Sequence, residues 1–551
     1  MPLSTALYKT LIFFPTYNEV GNIYKLLSGI WAACPIADVL VIDDNSTDGT
    51  GLLLKELALD EKRLTVIHRP RKLGLGSAHF MAMFYAIEHG YDRLVTMDAD
   101  LSHDPADIPR ILSVLEDADF VTGSRYMSGG SCDYSGYRKQ LSVMANFSAR
   151  LLTGVKVHEF TTSFRGFKVK PLSKVKFNWV GNFGYSFFLE SIVRLHAAGL
   201  TIQEIPIHFY NRHSGSSKIP TFEIFRGALK LTFLTIAKYL GKNKSYPSQY
   251  IPEACANCGG LYLYELFPED IKQNKKFLDS NVYKCSSMSH ASKPQVGKCL
   301  QCGLVQVPQD MHPADLDKLY EDVVDTEYVA NLSVKAKTFN FAFEQLNPFL
   351  PPKGSLLEIG SYCGLFLKQA KLAGWQCTGI EPSQWAALYA HQADPDLRIF
   401  NAPFEVAKHN LNEPFDVIVS WDVIEHVAKP SVFIRDAASL LKSGGIFAFS
   451  TMDIDANFAK LLGKHWPWIM QMHLYYFTIP VLKDMLAKEG LELIHTESYR
   501  HYASLKYMYK KFIYSLPSLS HKTLSKLGVL VPEIILPVTL GDIKLFIARK
   551  I

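Results

Sequence analysis

The chain has 551 residues, with 58 Lys and Arg against 53 Asp and Glu for a net charge of +5, 48% hydrophobic residues and 9 cysteines. At roughly 100–200 residues per domain, this length predicts about three domains. The apolar content excludes wholesale disorder, and the scarcity of cysteine excludes a disulfide-stapled secreted scaffold. The net charge is too small to indicate nucleic-acid binding. The remaining classes are a multidomain enzyme and a large binding protein.

Hydropathy predicts neither a membrane-spanning segment nor a signal peptide. No stretch reaches the roughly 18 uncharged apolar residues that a spanning helix needs, and the N-terminus lacks a basic region before an apolar core. Residues 221–240 differ, because Glu223, Arg226 and Lys230 recur at helical spacing among Phe, Leu and Ile. This pattern predicts an amphipathic helix that lies in a membrane interface or, alternatively, packs on its own domain. We expect a cytoplasmic protein, held at the cytoplasmic face of the membrane under the first interpretation.

Apolar strands alternate with helical patterns from residue 9 to about 210, which predicts a parallel or mixed sheet with helices on both faces. One predicted strand, RLVTM, is followed by Asp98, Ala99 and Asp100. Ligands bind at the carboxyl edge of such sheets. Carboxylates two residues apart on a loop can share one hard divalent cation, which in turn takes two phosphate oxygens. A lone Asp-x-Asp is usually a solvated turn, so the neighbouring motifs decide the interpretation.

Polar and glycine-containing segments occur at intervals along this region. They are PTYNE from Pro15, DDNSTDG from Asp43, RPRKLGLG from Arg69, GSRY from Gly123, EFTTSFR from Glu159 and RHSGSSK from Arg212. Together with DADLSH from Asp98, they resemble the family-2 glycosyltransferases with a GT-A fold, specifically dolichyl-phosphate mannose synthases, over about residues 10–240. The resemblance implies transfer of a mannose- or glucose-type sugar from a nucleotide-diphosphate donor to a polyprenyl phosphate.

The resemblance also implies a nucleotide-sugar site. The side chains that would hold the nucleoside are Pro15, Tyr17, Glu19 and Asp44. The donor would further contact Asp98, Ala99 and Asp100, and the two aspartates would carry Mg²⁺ or Mn²⁺. Ser102 matches a metal-site position that is Gln in some relatives.

Cationic side chains would neutralise the diphosphate or the acceptor phosphate, and those implied are Arg125, Arg212 and Lys218. With the two aspartates they form the implied catalytic set, which stabilises charge growing on the leaving nucleotide diphosphate. A phosphate acceptor is already anionic at neutral pH and needs no general base. A saccharide hydroxyl, the competing acceptor, needs a carboxylate base. Glu159 stands where the family usually has Asp.

Cysteines are concentrated in the segment that follows. Cys255-x-x-Cys258 and Cys299-x-x-Cys302 form two knuckles, each followed by a glycine. Paired CxxC units can supply four thiolates to one tetrahedral zinc, which we favour over a redox or disulfide role. Cys285 is a fifth candidate ligand. We predict a small zinc-ribbon-like module without catalysis, because a closed four-thiolate site has no open coordination position.

A second alternation of strands and helices begins at Ser355. The segment SLLEIGSYCGLFLKQA predicts a strand, a glycine turn and a helix, and a single fragment of this kind is weak support for a nucleotide site. Glu358, Gly360 and Gly364 fit the anchors of E-x-G-x-G-x-G, while Tyr362 occupies the middle glycine. The next predicted strand ends in Glu381, and an acidic residue there can accept both ribose hydroxyls of a nucleoside.

The strings FDVIVSWDVIEHV, LLKSGGIFAFST and HLYYF complete this pattern. It resembles class I S-adenosylmethionine-dependent methyltransferases over about residues 350–490, and the cysteine module resembles that of the subgroup acting on sugars or other small metabolites. The resemblance implies that Glu358 to Gly364 wrap the methionine portion, Glu381 binds the ribose, and Phe404 or Glu405 borders the adenine. NAD is the alternative nucleotide.

An oxygen acceptor in this second region would need a base. His426 and His473 are the candidates, although each is more often structural than catalytic.

We therefore predict a bifunctional α/β enzyme for surface-glycan or glycolipid assembly. Its GT-A domain covers residues 1–245, its zinc-ribbon-like module 246–312 and its Rossmann-like class I methyltransferase domain 313–551. The predicted activities are sugar transfer to polyprenyl phosphate and methylation of a sugar or related metabolite with S-adenosylmethionine. One rival has a saccharide as the sugar acceptor, and a second has a C-terminal half that serves as a non-catalytic docking scaffold.

Overall fold

The computed structural model describes residues 8–175, 186–211, 250–251, 253–271, 280–285, 292–411, 413–506, 508–509, 531–532 and 534–551. The chain divides into two compact units. The first comprises Met1–Pro252, Gly260–Leu266 and Cys299–Gly303, and the second Glu253–Gly259, Phe267–Lys298 and Leu304–Ile551. Within the described ranges, no helix has both the length and the apolar character that a bilayer crossing requires. The predicted helix over 221–240 lies outside the described residues, as do Arg212 and Lys218.

Strands and helices alternate over most of residues 9–210, as predicted, and two further strands are described up to Phe267. The strands are β1 (Thr10–Thr16), β2 (Asp38–Asp43), β3 (Leu64–His68), β4 (Arg93–Thr96), β5 (Phe120–Ser124), β6 (Ser131–Cys132), β7 (Arg165–Lys168), β8 (Ile202–Pro206), β9 (His208–Phe209), β10 (Tyr250–Ile251) and β11 (Leu263–Phe267). The helices are α1 (Ile23–Ala33), α2 (Thr50–Asp60), α3 (Leu75–Glu88), α4 (Ile108–Val114), α5 (Tyr137–Thr153), α6 (Val169–Leu172) and α7 (Ser186–Ala197), with a 3₁₀ turn at Pro105–Asp107.

Seven of these strands form one sheet in the order β3-β2-β1-β4-β7-β5-β8. β1 to β4 are parallel, and β7 runs antiparallel between β4 and β5. In β1, Leu11 and Phe13 belong to the core that includes α3, whereas Ile12 and Phe14 belong to the core that includes α1 and α4. Because helices cover both faces, the strand is a continuous apolar run. The predicted α/β fold of the first unit is confirmed.

The remaining elements begin at Asp270. The strands are β12 (Asp270–Ile271), β13 (Ser292–Lys293), β14 (Val296–Cys299), β15 (Val305–Gln306), β16 (Ser355–Ile359), β17 (Gln376–Ile380), β18 (Arg398–Phe400), β19 (Phe415–Trp421), β20 (Leu441–Met452), β21 (Tyr475–Tyr476), β22 (Leu491–Ser498), β23 (His501–Ser504), β24 (Ile535–Val538) and β25 (Ile543–Lys550).

The helices of this part follow the same numbering. They are α8 (Leu316–Glu321), α9 (Thr326–Ala330), α10 (Leu332–Leu346), α11 (Leu365–Leu372), α12 (Gln384–Ala393), α13 (Phe404–Ala407), α14 (Pro430–Ser439), α15 (Asn457–Leu462) and α16 (Ile479–Lys488). Short 3₁₀ turns lie at Ser280–Tyr283, Gln309–Met311, Asn347–Phe349, Lys408–Asn410 and Gly463–His465.

The second unit is built on a seven-stranded sheet in the order β18-β17-β16-β19-β20-β25-β22. Its first five strands are parallel, and β25 runs antiparallel between β20 and β22. The chain order of the strands reverses between β16 and β19, where open α/β sheets bind ligands. The predicted Rossmann-like fold is therefore confirmed. Short antiparallel pairings, β10 with β11 and β14 with β15, adjoin the cysteines.

Candidate functional sites

Three of the predicted motifs lie at the carboxyl edge of the first sheet. The loops after β2, β1 and β4 leave adjacent strands at this edge, because these strands are parallel. The backbone N–H of Asp44 donates to the carbonyl of Thr16 at 3.0 Å, so the first two loops start side by side. The structure thus places Pro15, Tyr17, Glu19 and Asp44 at the same edge as the Asp98–Asp100 loop.

Hydrogen bonds to side chains connect the loop after β1 with the loop after β2. The N–H of Asn18 donates to Ser46 Oγ at 2.8 Å, and the N–H of Thr47 donates to Asn18 Oδ1 at 2.8 Å. Asn18 and Asn45 both have left-handed backbone conformations, with φ of 58° and 62°. Asparagine tolerates this region better than other non-glycine residues. The motif residues therefore shape the loops that follow β1 and β2.

Asp44 is fixed by a buried cation to which the sequence pattern assigned no individual role. Arg69 is 1% exposed, and its Nε donates to the Asp44 carboxylate while Nη1 donates to Ser77 Oγ at 2.7 Å. Burial raises the pKa of Asp44, and the charge of Arg69 opposes that rise. The N–H groups of Leu73 and Gly74 also bond to Asp44. The RPRKLGLG loop therefore orients the carboxylate of Asp44.

Hydrogen bonds within the predicted metal loop, Asp98–Ser102, fix its buried carboxylate. Asp98 is partly exposed and Asp100 is buried. Both the N–H and the hydroxyl of Ser102 donate to Asp100 Oδ1, at 3.1 and 2.5 Å. Leu101 takes a left-handed conformation between them, with φ of 60°. Two carboxylates on one loop supply the hard oxygen donors that Mg²⁺ and Mn²⁺ prefer, so the residues fit a divalent cation.

His103 supports the same loop, and the sequence pattern did not single it out. The N–H of Asp98 donates to His103 Nδ1 at 3.2 Å, so that nitrogen carries no proton. Burial lowers the pKa of His103 to about 4, which keeps the ring neutral. Its Nε2 then donates to Thr162 Oγ1 at 3.3 Å. His103 thereby ties the aspartate loop to the TTSFR segment.

Arg125 lies in a buried ion pair. Its Nε and Nη2 donate to the two carboxylate oxygens of Glu159, both at 2.7 Å, and Nη2 also donates to Thr161 Oγ1 at 2.8 Å. Burial would raise the pKa of Glu159, but Arg125 outweighs that effect and holds it below its ordinary value. Glu159 thus balances the charge of Arg125, and contact between Arg125 and phosphate stays a prediction.

The four cysteines of the two predicted knuckles come together. The Sγ atoms of Cys255, Cys258, Cys299 and Cys302 lie within 4.8 Å of one another. The N–H groups of Gln301 and Cys302 donate to Cys299 Sγ, both at 3.4 Å. Four converging sulfurs are a donor set that fits tetrahedral zinc. Cys285 instead lines the cavity of the second unit.

That cavity has a volume of about 630 Å³ and opens at the carboxyl edge of the second sheet. Its walls include the predicted cofactor residues Glu358, Gly360, Glu381, Phe404 and Glu405. Gly364 begins the helix behind the turn, in a left-handed conformation with φ of 71°.

Two predicted cofactor residues, Glu358 and Glu381, are buried carboxylates in the wall of this cavity. Glu358 Oε2 is buried and has no hydrogen-bond partner. Glu381 accepts the N–H groups of Tyr362 at 2.7 Å and of Ser383 at 2.8 Å. Burial raises the pKa of Glu381 to about 7. The unsatisfied oxygen of Glu358 and the glycine turn fit the ammonium and hydroxyl donors of S-adenosylmethionine.

Tyr362, at the middle glycine of the motif, has a backbone conformation that glycine favours. Its φ is 45°, in the left-handed region. Its hydroxyl donates to Asp325 Oδ2 at 3.2 Å, and its ring makes an edge contact with Tyr328 at 4.6 Å between centroids. These contacts compensate for the strained conformation.

His426 and His473, the predicted base candidates, line this cavity with ring centroids 4.8 Å apart. Burial lowers the pKa of His426 to about 4, so its ring is neutral near pH 7. Glu425 lies beside them, with its ligand atom within 4.8 Å of theirs.

Two protein families match separate parts of the chain. Residues 11–176 match glycosyl transferase family 2, and residues 333–496 match a methyltransferase domain. A crystal structure of an S-adenosylmethionine-dependent methyltransferase from Thermotoga maritima is 20% identical, with a TM-score of 0.28, and the match covers 41% of this chain and 95% of that one.

Two relatives are similar to the first unit. The polyprenol monophosphomannose synthase of Mycolicibacterium smegmatis is 38% identical over 226 residues, which cover 40% of this chain and 85% of the relative. The undecaprenyl-phosphate mannosyltransferase of Micrococcus luteus is 35% identical over 212 residues, which cover 38% of this chain and 87% of the relative. The chain is therefore an enzyme that belongs, through its first unit, to the family-2 glycosyltransferases and carries a methyltransferase domain in its second.

Proposed function

We propose that the first unit transfers a mannose- or glucose-type sugar from a nucleotide-diphosphate donor to polyprenyl phosphate. The observation that carries this proposal is the placement of Asp44 and the Asp98–Asp100 loop at one sheet edge. The names of the two relatives support the acceptor class, because each relative matches along most of its own length.

The chemistry follows from the charges at this edge. Asp98 and Asp100 would hold Mg²⁺ or Mn²⁺, which offsets negative charge on the leaving diphosphate. The acceptor phosphate oxygen forms the bond to the anomeric carbon while the bond to the diphosphate breaks. No proton must be removed from the acceptor, since a phosphate monoester is ionised at neutral pH.

An acceptor swap tests this activity. We expect the full-length protein to transfer label from a nucleotide sugar to polyprenyl phosphate and not to an oligosaccharide. Asp100→Asn should lower the rate by about 100-fold or more, whereas Asp104→Asn, which keeps the cap of the 3₁₀ turn, should retain it. Transfer to the oligosaccharide alone would establish the saccharide-acceptor rival.

Helix α5 supports peripheral contact with a lipid surface. Met144, Phe147 and Leu151 lie on one side of it and are 66%, 67% and 73% exposed. The opposite side of the helix is linked by hydrogen bonds to residues near the ion pair of Arg125. Ser142 Oγ accepts a hydrogen bond from the hydroxyl of Tyr126, and this hydroxyl also bonds to the hydroxyl of Tyr134. An exposed apolar stripe beside a phosphate-handling site suits a lipid-linked acceptor.

Vesicle flotation tests this contact. Serine at Met144, Phe147 and Leu151 should reduce co-flotation with anionic vesicles and leave turnover of a short-chain soluble acceptor intact. Serine at the exposed Leu52 and Leu59 of α2 is the matched control. Equal flotation of both variants would contradict the assignment to α5.

We infer that the second unit methylates a sugar or related metabolite with S-adenosylmethionine. The cavity with Glu358, Gly360 and Glu381 at the reversal of strand order supports this inference. S-adenosylmethionine supplies an activated methyl group, and the chain has to bind it and align the acceptor in line. Isothermal titration with S-adenosylmethionine should show one site per chain, and absence of binding would favour the docking-scaffold rival.

We further propose that the four clustered cysteines bind structural zinc. Four sulfur donors complete a tetrahedral shell and favour zinc over magnesium or calcium. Metal analysis of the purified protein should find one equivalent of zinc that Cys302→Ser removes, while Cys34→Ser, outside the cluster, should keep it.

A further inference from the structure

A second cluster of side chains with suitable metal-ligand atoms lies in the wall of the cavity in the second unit. We propose that Glu425, His426 and His473 bind a divalent transition-metal ion there. Each offers a ligand atom, and these atoms lie within 4.8 Å of one another. All three residues line the cavity of about 630 Å³. The part of this inference that concerns the acceptor rests on the proposed methyltransferase function.

The backbone brings the two segments of the cluster together. Glu425 and His426 follow β19, and His473 precedes β21. The carbonyl of Glu425 accepts the N–H groups of Leu474 at 2.9 Å and of Tyr475 at 3.2 Å. The ligands therefore lie on segments that are tied together by main-chain bonds.

Hydrogen bonds set the tautomer of both imidazoles. His426 Nδ1 lies 2.9 Å from the carbonyl of Met472, and His473 Nδ1 lies 2.8 Å from the carbonyl of Trp468. A carbonyl only accepts, so each Nδ1 carries a proton and Nε2 is the nitrogen that can bind a metal. Metal-ligating histidines are oriented in this way, by a carbonyl on the other nitrogen.

The carboxylate is oriented by a similar contact. Thr451 Oγ1 donates to Glu425 Oε2 at 2.9 Å, and both residues are buried. A buried carboxylate that faces two imidazoles gains from a bound cation, because the cation supplies the opposite charge that a buried carboxylate needs. Two imidazoles and one carboxylate suit Zn²⁺, Mn²⁺, Fe²⁺ or Co²⁺ rather than Ca²⁺.

Three protein ligands leave coordination positions for an oxygen of the methyl acceptor. A hydroxyl bound to the ion loses its proton to water more readily than a free one. The oxygen then forms a bond to the methyl carbon as the carbon–sulfur bond of the sulfonium breaks, which yields a methyl ether and a neutral thioether. The cluster therefore points to an oxygen nucleophile, such as a sugar hydroxyl.

Cobalt substitution tests the cluster in the full-length protein. After removal of bound metal, titration with Co²⁺ should give visible bands of nitrogen and oxygen coordination, besides the sulfur charge-transfer bands of the cysteine cluster. Glu425→Gln and His473→Gln should each lose about one equivalent of Co²⁺ and the visible bands assigned to this cluster. His501→Gln removes another histidine of the same cavity and should bind as the wild type does.

Equal cobalt stoichiometry and equal visible spectra in the wild type and in Glu425→Gln would overturn the proposal. Far-ultraviolet circular dichroism checks folding, and Glu425→Gln, which keeps the size of the side chain, decides the matter if His473→Gln does not fold. S-adenosylmethionine binding is measured separately. Its absence in the wild type would refute the methyltransferase function, whereas the cobalt count concerns the metal site alone.

Discussion

Glu381 has a pKa of about 7 because burial disfavours its charged form. A ribose that donates two hydroxyl hydrogen bonds needs the ionised carboxylate. At a pH below that pKa, the ligand can therefore bind only after Glu381 loses its proton. The binding-competent fraction therefore falls as the pH drops through 7. We expect S-adenosylmethionine to bind about tenfold more weakly at pH 6 than at pH 8. Titration calorimetry at both pH values measures the difference.

Glu381→Gln provides the control for this pH dependence. The amide does not ionise, so its affinity should be lower than that of the wild type at pH 8 and should change little between the two pH values. A wild-type affinity that is equal at pH 6 and pH 8 would show that Glu381 does not bind the nucleoside as a carboxylate.

Arg125 and Glu159 show how a side chain's partner changes its expected role. The resemblance assigned Arg125 to phosphate, and the structure pairs both carboxylate oxygens of Glu159 with it. A buried guanidinium with such a partner already has its charge balanced. Its hydrogen bonds to Thr161 and Tyr134 make it a support for the surrounding loops as well.

At the scale of elements, the glycine turn after β16 depends on a close approach. Gly360 has φ of 79°, and a Cβ there would lie 2.7 Å from Val423 Cγ2. Gly444 has φ of 76°, with open space around the same position. Gly444→Ala should cost about 1 kcal/mol of unfolding free energy from backbone strain alone. Gly360→Ala should cost roughly 1–3 kcal/mol more, through overpacking.

Thermal unfolding and S-adenosylmethionine affinity measure the two variants side by side. Only Gly360→Ala should weaken the binding of S-adenosylmethionine. Adding Val423→Ala to this variant should restore part of the lost stability. Equal destabilisation by both alanines would mean that the contact with Val423 does not restrict the turn.

Two arginines of the RPRKLGLG loop connect this loop to the Cys299–Gly303 turn, which belongs to the same unit. Arg71 Nη2 donates to the carbonyl of Cys302 at 2.6 Å, and Arg69 Nη1 donates to that of Leu300 at 3.4 Å. The same loop supplies N–H groups to Asp44. Arg71→Ala removes a hydrogen bond of about 1 kcal/mol and should raise KM for the donor about fivefold, with kcat retained.

Steady-state kinetics with a varied nucleotide sugar measures this effect. Arg63→Ala is the control, because Arg63 forms a surface ion pair with Glu61. A KM for Arg71→Ala that equals that of the control would show that the cysteine turn does not influence Asp44.

At the scale of the whole molecule, each unit has its own seven-stranded sheet and its own site. We expect the two activities to be separable in the full-length protein. Asp100→Asn should lower sugar transfer about 100-fold or more and leave S-adenosylmethionine binding unchanged. Glu381→Gln should weaken S-adenosylmethionine binding and leave sugar transfer unchanged. Sugar-transfer assays and titration calorimetry on the same two preparations test this, and loss of both properties in either variant would contradict it.

Local sequence patterns predict both sheets and the positions of most motifs. Continuous apolar strands such as β1 and the placement of Asp98–Asp100 directly after β4 follow from local patterning, because a parallel sheet brings its strand ends to one edge. Gly360 and Glu381 were found in the same way. Each of these inferences needs only the residues next to one strand.

The tertiary structure alone decided which distant side chains meet. Three contacts join segments that no local spacing connects: Glu425 lies near His473, Arg69 bonds to Asp44, and Glu159 pairs with Arg125. Their proximity depends on how loops fold back over the sheet edges, and their charge states depend on the burial that results. The sequence therefore identifies the two transferase units, whereas packing sets the partners, the tautomers and the pKa values within their sites.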